Sequence, residues 1–99
     1  MMRDIEYMEA AKVDIVRLND FIENRCKAPL TAFRYLEGLE GRIQWLRGNA
    51  DLFPIEPELT FSMGIEIRRL NYEKMAILYS IDGDIVNIQR IIPQNMVIY

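Results

Sequence analysis

The stretch KMAILYSIDGDIVNIQRII, residues 74–92, predicts a β-hairpin. Its first part, 74–82, is almost continuously apolar, which is typical of a central strand with both faces covered. DGD at 82–84 is a turn sequence between two β-rich segments and the strongest short-range hairpin signal in the chain. We therefore expect 84–92 to return beside the first strand, and Pro93 to end it, because proline cannot donate a hydrogen bond to a strand ladder.

The sequence before this hairpin predicts two helices and two more strands. RDIEYM (3–8) and GIEIRRLN (64–71) alternate polar and apolar residues, as strands with one buried face do. Apolar residues spaced by three and four predict amphipathic helices at 9–25 and 30–47, and glycine and prolines mark 48–58 as a loop. The order β-α-α-β-β-β predicts an α+β fold in which an antiparallel four-stranded sheet packs on an N-terminal helical hairpin.

The two predicted helices carry polar residues and glycines whose surroundings the pattern also predicts. Asp14 and Arg17 fall largely on the side of the first helix that is opposite its apolar stripe, so we expect them to face solvent. Gly38 and Gly41 lie in the second helix, where each glycine costs about 1 kcal/mol relative to alanine. We expect them to allow a close approach of the two helices.

Length and composition exclude several classes of protein. Ninety-nine residues predict one domain, residues 1–99. Twelve basic and fifteen acidic side chains give a net charge of −3, which counts against nucleic acid as the partner that drives affinity. The chain has no histidine and one cysteine, Cys26, so the commonest general base and the spacings of metal sites are missing, and we predict no metal and no cofactor.

The same composition predicts a protein of the cytoplasm. No window approaches the roughly 18 apolar residues of a membrane span, so we expect no membrane association. The start MMRDIEYM places acids where a signal peptide has its apolar segment. A single cysteine fits a reducing compartment.

Three residues of the predicted sheet are candidates for chemistry: Arg68, Tyr79 and Arg90. On consecutive antiparallel strands they would lie side by side if they share one face. Two guanidiniums and a phenol would then bind phosphate and move protons, so we assign them as candidate catalytic residues. The alternative for each arginine is a strand residue whose stem packs while its head group reaches water, and for Tyr79 a core aromatic with a hydrogen-bonded hydroxyl.

Three segments in this order and spacing resemble the RelE/ParE superfamily of bacterial toxins. They are AAKVDIVRLNDFIEN, PLTAFRYLEGLEGRIQWLRGN and GIEIRRLNYEKMAILYSIDGDIVNIQRII, and the resemblance spans residues 5–94. It implies a toxin of a type II toxin–antitoxin, or plasmid-stabilisation, system that inhibits growth and is neutralised by a cognate antitoxin. By residue match, the resemblance places Arg68 of "RRL" at the family's usual arginine position in the second strand. It places Tyr79 of "YSID" at the aromatic position of the next strand, and Arg90 at the basic or aliphatic position before the final "II".

The superfamily divides by target, and the resemblance leaves the target open. RelE-like members cleave messenger RNA on the ribosome, which would make the protein an enzyme, whereas ParE-like members poison DNA gyrase and lack the nuclease residues. Where many relatives carry a histidine followed by an arginine-rich segment, this chain has Pro93, Gln94 and Asn95. We therefore rank a ParE-like toxin first, with an endoribonuclease and a degenerate, non-toxic member as alternatives. The oligomeric state, a homodimer included, stays open.

The segment NMVIY (95–99) is mostly apolar beyond the expected end of the sheet, with Asn95 as its one strongly polar residue. An exposed stretch of this kind favours aggregation unless something covers it. We expect it to fold back onto the sheet or to form part of the surface that an antitoxin covers.

Overall fold

A computed structural model describes residues 2–97 of the chain. The elements follow one another as strand β1 (Asp4–Tyr7), helix α1 (Glu9–Asp20), a π-helical turn (Phe21–Arg25), helix α2 (Pro29–Asn49), a 3-10 turn (Ala50–Leu52), helix α3 (Pro57–Met63), strands β2 (Arg68–Tyr72), β3 (Met75–Asp82) and β4 (Ile85–Pro93), and a 3-10 turn (Gln94–Met96). The predicted β3–β4 hairpin is confirmed, with Gly83 in the left-handed region (φ 57°) between Asp82 and Ile85, which face each other.

The four strands form one mixed sheet in the order β1-β4-β3-β2. β2, β3 and β4 pair in antiparallel fashion, but β1 lies parallel to β4, with Asp4 opposite Ile85 and Tyr7 opposite Ile88. The prediction of a purely antiparallel sheet was therefore wrong at this pair. Side-chain alternation in a strand does not encode direction, and a strand that is followed by helices is not held antiparallel by a tight turn.

Helices α1 and α2 cover one face of the sheet, here called the front face. The largest buried side chains between these layers are Leu39, Ile43, Leu46, Leu70, Ile77, Tyr79, Val86, Ile88 and Ile91. The apolar spacing that predicted the helices is thus confirmed as a core-facing stripe. The first predicted helix, 9–25, ends as a π-helical turn, in which the amide of Cys26 donates to the carbonyl of Phe21 at 3.3 Å.

Helix α3 lies on the other face of the sheet, here called the back face, and was not predicted. It begins with Pro57 in its first turn, and the left-handed Gly64 (φ 78°) ends it, with its amide donating to Thr60. Proline at the start and glycine after the end are ordinary helix boundary signals. Seven residues are too few for a clear helical period. The predicted loop 48–58 holds for 50–56, a 3-10 turn and irregular backbone, and was wrong at its two ends, which belong to α2 and α3.

The back face has its own small apolar core beneath α3. Leu59 of α3 packs with Ile67, Ala76 and Leu78. β2 begins only at Arg68, so the predicted strand 64–71 started too early: Ile67 is fully buried beside the helix, whereas Ile65 is 44% exposed. Alternation of isoleucines before Arg68 therefore reflects the exit from a helix rather than a strand.

The C-terminal segment returns to this back-face core. Gln94 donates its amide to the carbonyl of Lys74 at 2.9 Å, and its side chain binds carbonyls of residues 73 and 75. Val97 packs partly buried against the cluster under α3. The expectation that the tail folds back is confirmed for Val97, whereas Met96 is 61% exposed, and Ile98 and Tyr99 lie outside the described residues.

Gly38 faces a strand rather than the other helix. A Cβ atom at Gly38 would lie 2.2 Å from the hydroxyl oxygen of Tyr72 on β2, whereas one at Gly41 would meet nothing within 4 Å. The expectation that both glycines bring the helices together was wrong. Gly38 makes room for Tyr72, whose ring also packs edge-on against Tyr35 with centroids 5.3 Å apart.

Candidate functional site

Arg68 and Tyr79 lie directly opposite each other on β2 and β3. Both side chains meet the backbone that follows α2. The Tyr79 hydroxyl is buried and donates to the carbonyl of Ala50 at 2.7 Å. The Arg68 guanidinium donates to the carbonyl of Phe53 and, at 3.4 Å, to that of Asp51. Two of the three candidate residues thus share one location, at the 3-10 turn.

The environment of Tyr79 strongly favours its neutral form. Burial raises the pKa of the phenol to about 12, the nearby Arg68 guanidinium opposes this by lowering it, and the Asp51 carboxylate raises it further. A general acid works best when its pKa lies near the working pH. This phenol is far from that range and already donates its proton to a carbonyl, so its arrangement is that of a structural hydrogen bond.

Arg90 binds a different part of the protein. A β-bulge falls between Leu78 and Tyr79, so that Arg90 faces Leu78 and Tyr79 faces Ile88. The Arg90 guanidinium forms a two-pronged pair with Asp14 of α1, with N–O distances of 2.8 and 3.0 Å. This hydrogen bond to Asp14 raises the pKa of Arg90 above its ordinary value. The structure therefore groups Arg68 with Tyr79, and Arg90 with α1.

Asp14 is the residue of this network that the sequence prediction placed wrongly. It is 7% exposed, not solvent-facing, and accepts a third hydrogen bond from the amide of Ile91 at 2.9 Å. Asp14 follows Ala11 by three residues and precedes Leu18 by four, so the helical spacing puts it on the apolar stripe itself. A carboxylate within such a stripe signals a buried partner.

Asp14 binds β4 where that strand extends beyond the end of β1. β1 ends at Tyr7, and the amide of Met8 makes the last main-chain bond to β4, donating to Ile88 at 2.9 Å. Beyond it, Ile91 donates to the Asp14 carboxylate instead of to a strand. The side chain thereby satisfies a main-chain donor on the unpaired part of the edge.

Within residues 2–97, a groove lies on each side of α1. The first, here called the hairpin groove, lies between α1 and α2, in two adjoining parts of about 460 and 400 Å³. The second, here called the edge groove, lies between α1 and the outer part of β4 and has a volume of about 440 Å³. The edge groove is lined by Asp14, Arg17, Leu18, Phe21, Lys74, Met75, Arg90, Ile91, Ile92, Pro93 and Met96.

No metal centre or membrane span is found in the part of the chain that the structure describes. Residues 2–97 contain no group of three potential ligands among His, Cys, Asp and Glu that would hold a metal ion. Within the same range, none of the helices combines the length and the apolar character that crossing a bilayer requires.

The sheet order and the two helices on its front face form a small α+β fold of the kind that the sequence resemblance implies. The family model described as "ParE toxin of type II toxin-antitoxin system, parDE" matches residues 5–98, and the chain belongs to this family of type II toxins. The predicted membership of the RelE/ParE superfamily is thereby confirmed.

Solved structures agree in fold. One titled "Chromosomal ParDE TA system from P. aeruginosa" superimposes with a TM-score of 0.76 at 17% identity, over 93% of this chain and 96% of that chain. At this identity the likeness concerns the fold alone. No curated protein sequence matches the chain. The catalytic assignment of Arg68, Tyr79 and Arg90 stays a prediction.

Proposed function

We propose that this protein inhibits growth by binding DNA gyrase, in the manner implied for ParE-like toxins, and that a cognate antitoxin neutralises it in the cytoplasm. The observation that carries the proposal is the state of the three candidate residues. Arg68, Tyr79 and Arg90 each direct their polar atoms to partners within the protein. An RNA substrate would have to compete with these contacts.

The character of the sheet supports a target other than RNA. The front face lies beneath α1 and α2, and much of the back face is apolar and lies beneath α3 and Val97. Recognition of single-stranded RNA relies on exposed aromatic rings and on cations that contact phosphate. Neither covered area offers such a surface, and the net charge of −3 opposes phosphate binding as well.

A supercoiling assay tests the proposal. Purified protein at micromolar concentration is incubated with gyrase, ATP and relaxed plasmid, and we expect supercoiling to fall as the protein is titrated in. Relaxation by a type I topoisomerase in parallel reactions should not change. Unchanged supercoiling at micromolar protein would count against gyrase as the target.

The antitoxin part of the proposal is tested separately. The solved ParDE structure is titled as a toxin–antitoxin system, which supports a partner of this kind for the present chain. We expect a short reading frame beside its gene to encode a protein that binds it and restores growth when co-expressed. A neighbouring product that neither binds nor restores growth would contradict this part.

One observation favours a second function, ribosome-dependent cleavage of messenger RNA. Arg68 lies directly opposite Tyr79, which would let a guanidinium and a phenol face one phosphate, although burial keeps the pKa of the phenol at about 12. Under this alternative, Arg68→Ala, Tyr79→Phe or Arg90→Ala relieves growth arrest, and primer extension on translating ribosomes reveals cleavage by the unmodified protein. Arrest that persists in all three folded variants rules out these residues as the catalytic centre. Induction without any arrest identifies a degenerate, non-toxic member.

A further inference from the structure

We propose that the protein contacts gyrase through an arginine–aromatic surface at the C-terminal end of α2, here called the Trp45 surface. This surface consists of Arg42 and Trp45 of α2 and of Leu52, Phe53 and Pro54, which follow the helix. The inference rests on the proposed function, because it takes gyrase as the partner. It goes beyond it by naming the contact surface and the chemistry that complements it, an apolar side chain beside a carboxylate.

Trp45 is the one tryptophan of the chain, and its ring is partly open to solvent. It is 36% exposed and meets the ring of Phe53 edge-on, with centroids 6.0 Å apart. The Arg42 guanidinium lies over the same ring, 4.6 Å from its centroid. Tryptophan and arginine are enriched among the residues that contribute most to protein–protein binding. A stacked arginine has also lost part of its conformational freedom before a partner arrives.

The charge of Arg42 is left for a partner. Among residues 2–97 its guanidinium forms no ion pair. The guanidiniums of Arg3, Arg68 and Arg90, in contrast, donate to acceptors within the protein. Guanidinium groups bind carboxylates through two parallel hydrogen bonds. The complementary group on the partner is therefore a carboxylate, although this chain itself carries a net charge of −3.

Apolar groups surround this cation. Leu52 is 68% exposed and directly precedes Phe53. A groove of about 380 Å³ adjoins the surface and is lined by Arg42, Phe53, Pro54, Glu56, Arg69, Leu70 and Asn71. The groove accepts an apolar side chain of the partner next to the carboxylate that Arg42 binds.

The loop that carries this surface is held in place by the sheet. The carbonyl of Ala50 accepts a hydrogen bond of 2.7 Å from Tyr79 on β3, and that of Phe53 accepts one from Arg68 on β2. A segment that is fixed before binding avoids the entropic cost of being ordered by its partner. The exposed side chain of Leu52 is therefore presented from a backbone that is anchored on both sides.

The Trp45 surface suits a protein better than a nucleic acid. Proteins that bind single strands combine open aromatic faces, on which bases stack, with a positively charged groove. Here Arg42 covers one face of Trp45. The adjoining groove holds the carboxylate of Glu56 as well as two arginines, which is not a continuous row of cations.

Paired variants in a supercoiling assay test the inference. Leu52→Glu and Arg42→Glu alter the Trp45 surface, and the controls Leu30→Glu and Arg34→Glu make the same changes near the other end of α2. Leu30 is 60% exposed and so matches Leu52. We expect each surface variant to require about 10- to 100-fold more protein for half-inhibition of supercoiling, and each control to stay within about threefold of the original protein. Circular dichroism and urea unfolding should be the same for all four.

Direct binding distinguishes the partner. The immobilised full-length protein is titrated by interferometry with gyrase holoenzyme and, separately, with relaxed plasmid alone. The loss of gyrase affinity in Arg42→Glu should be smaller at high salt, because salt screens the lost charge pair. Plasmid binding that the surface variants lose would identify nucleic acid as the partner and overturn the inference.

The remaining results separate the inference from the proposed function. If all variants inhibit gyrase like the original protein, or if the controls lose as much as the surface variants, the Trp45 surface is not the contact, although gyrase stands as the target. If the unmodified protein neither binds gyrase nor inhibits supercoiling, both proposals are overturned.

Discussion

The carboxylate of Asp14 is expected to stabilise the fold, and Asp14→Ala measures by how much. The substitution removes the acceptor of the buried Ile91 amide, and an unsatisfied buried donor costs about 1–3 kcal/mol. It also removes the pair with Arg90, whose side chain is 39% exposed and can turn to water, so this loss is at most about 1 kcal/mol. Alanine returns about 0.5 kcal/mol of helix propensity. The net expected loss is about 2 kcal/mol.

Asp14→Asn separates the two contributions. Asparagine has nearly the helix propensity of aspartate and keeps one acceptor for the Ile91 amide, but it lacks the charge that holds Arg90. We expect it to lose about 1 kcal/mol. The matched control is Asp20→Ala at the exposed end of the same helix, which should change stability by less than about 0.5 kcal/mol.

Urea unfolding followed by circular dichroism provides the assay. With an unchanged slope, the shift in midpoint reports the free energy of unfolding. A loss of 2 kcal/mol should also lower the melting temperature by roughly 8–16 °C in a domain of this size. An Asp14→Ala variant within 0.5 kcal/mol of the original, or an Asp14→Asn variant that loses as much as Asp14→Ala, would refute the assigned role of the carboxylate.

Three further predictions concern the core. Gly41→Ala should stabilise the protein by up to about 1 kcal/mol, because alanine favours the helix and its methyl group meets nothing. Gly38→Ala should be at least about 1 kcal/mol less stable than Gly41→Ala in the same urea titration, because its new methyl group meets the Tyr72 hydroxyl. Combining Gly38→Ala with Tyr72→Phe should recover part of that difference, and no recovery would locate the strain elsewhere. The pKa of the Tyr79 phenol is about 12 in the folded state and 10 in the unfolded state. Its contribution to the free energy of unfolding is therefore fully present below pH 10 and is lost as the pH rises towards 12. Tyr79→Phe should flatten that alkaline decline, with an otherwise small loss of about 1 kcal/mol, and an unchanged decline in pH-dependent urea titrations would contradict the burial of this phenol. Leu59→Ala should cost about 2–4 kcal/mol by emptying the core beneath α3, and a cost below 1 kcal/mol would mean that α3 does not hold the back face closed.

The elements with regular local patterns were predictable from the sequence, and those set by distant contacts were not. The β3–β4 hairpin follows from a glycine turn between two β-rich segments, and the register of β2 against β3 then brings Arg68 to Tyr79. The direction of β1 depends on where the helices return the chain, which alternation in 3–8 does not encode. The short helix α3 is held by the back-face core rather than by a long helical period.

The candidate site divides in the same manner. Sequence pattern identified Arg68, Tyr79 and Arg90 as unusual residues, but their partners are carbonyls of Ala50 and Phe53 and a carboxylate far away along the chain. A pattern of side chains does not reveal which carbonyl groups come near them in the fold. The β-bulge places one extra residue, Gln89, in β4 opposite Leu78 and Tyr79, and so shifts Arg90 by one position; the sequence gives no sign of where strand pairing is interrupted.

The connection between β1 and α1 consists of Met8 alone. The chain is attached to β4 both at this connection and within α1. The amide of Met8 binds Ile88, and six residues later the Asp14 side chain binds Ile91, so the distance along the chain is matched to the spacing along β4. An insertion here shifts one attachment relative to the other, whereas the segment 26–28 between the helices carries no comparable double attachment. Length variation among natural relatives is therefore expected at 26–28 and not at the β1–α1 junction, although both are short surface connections.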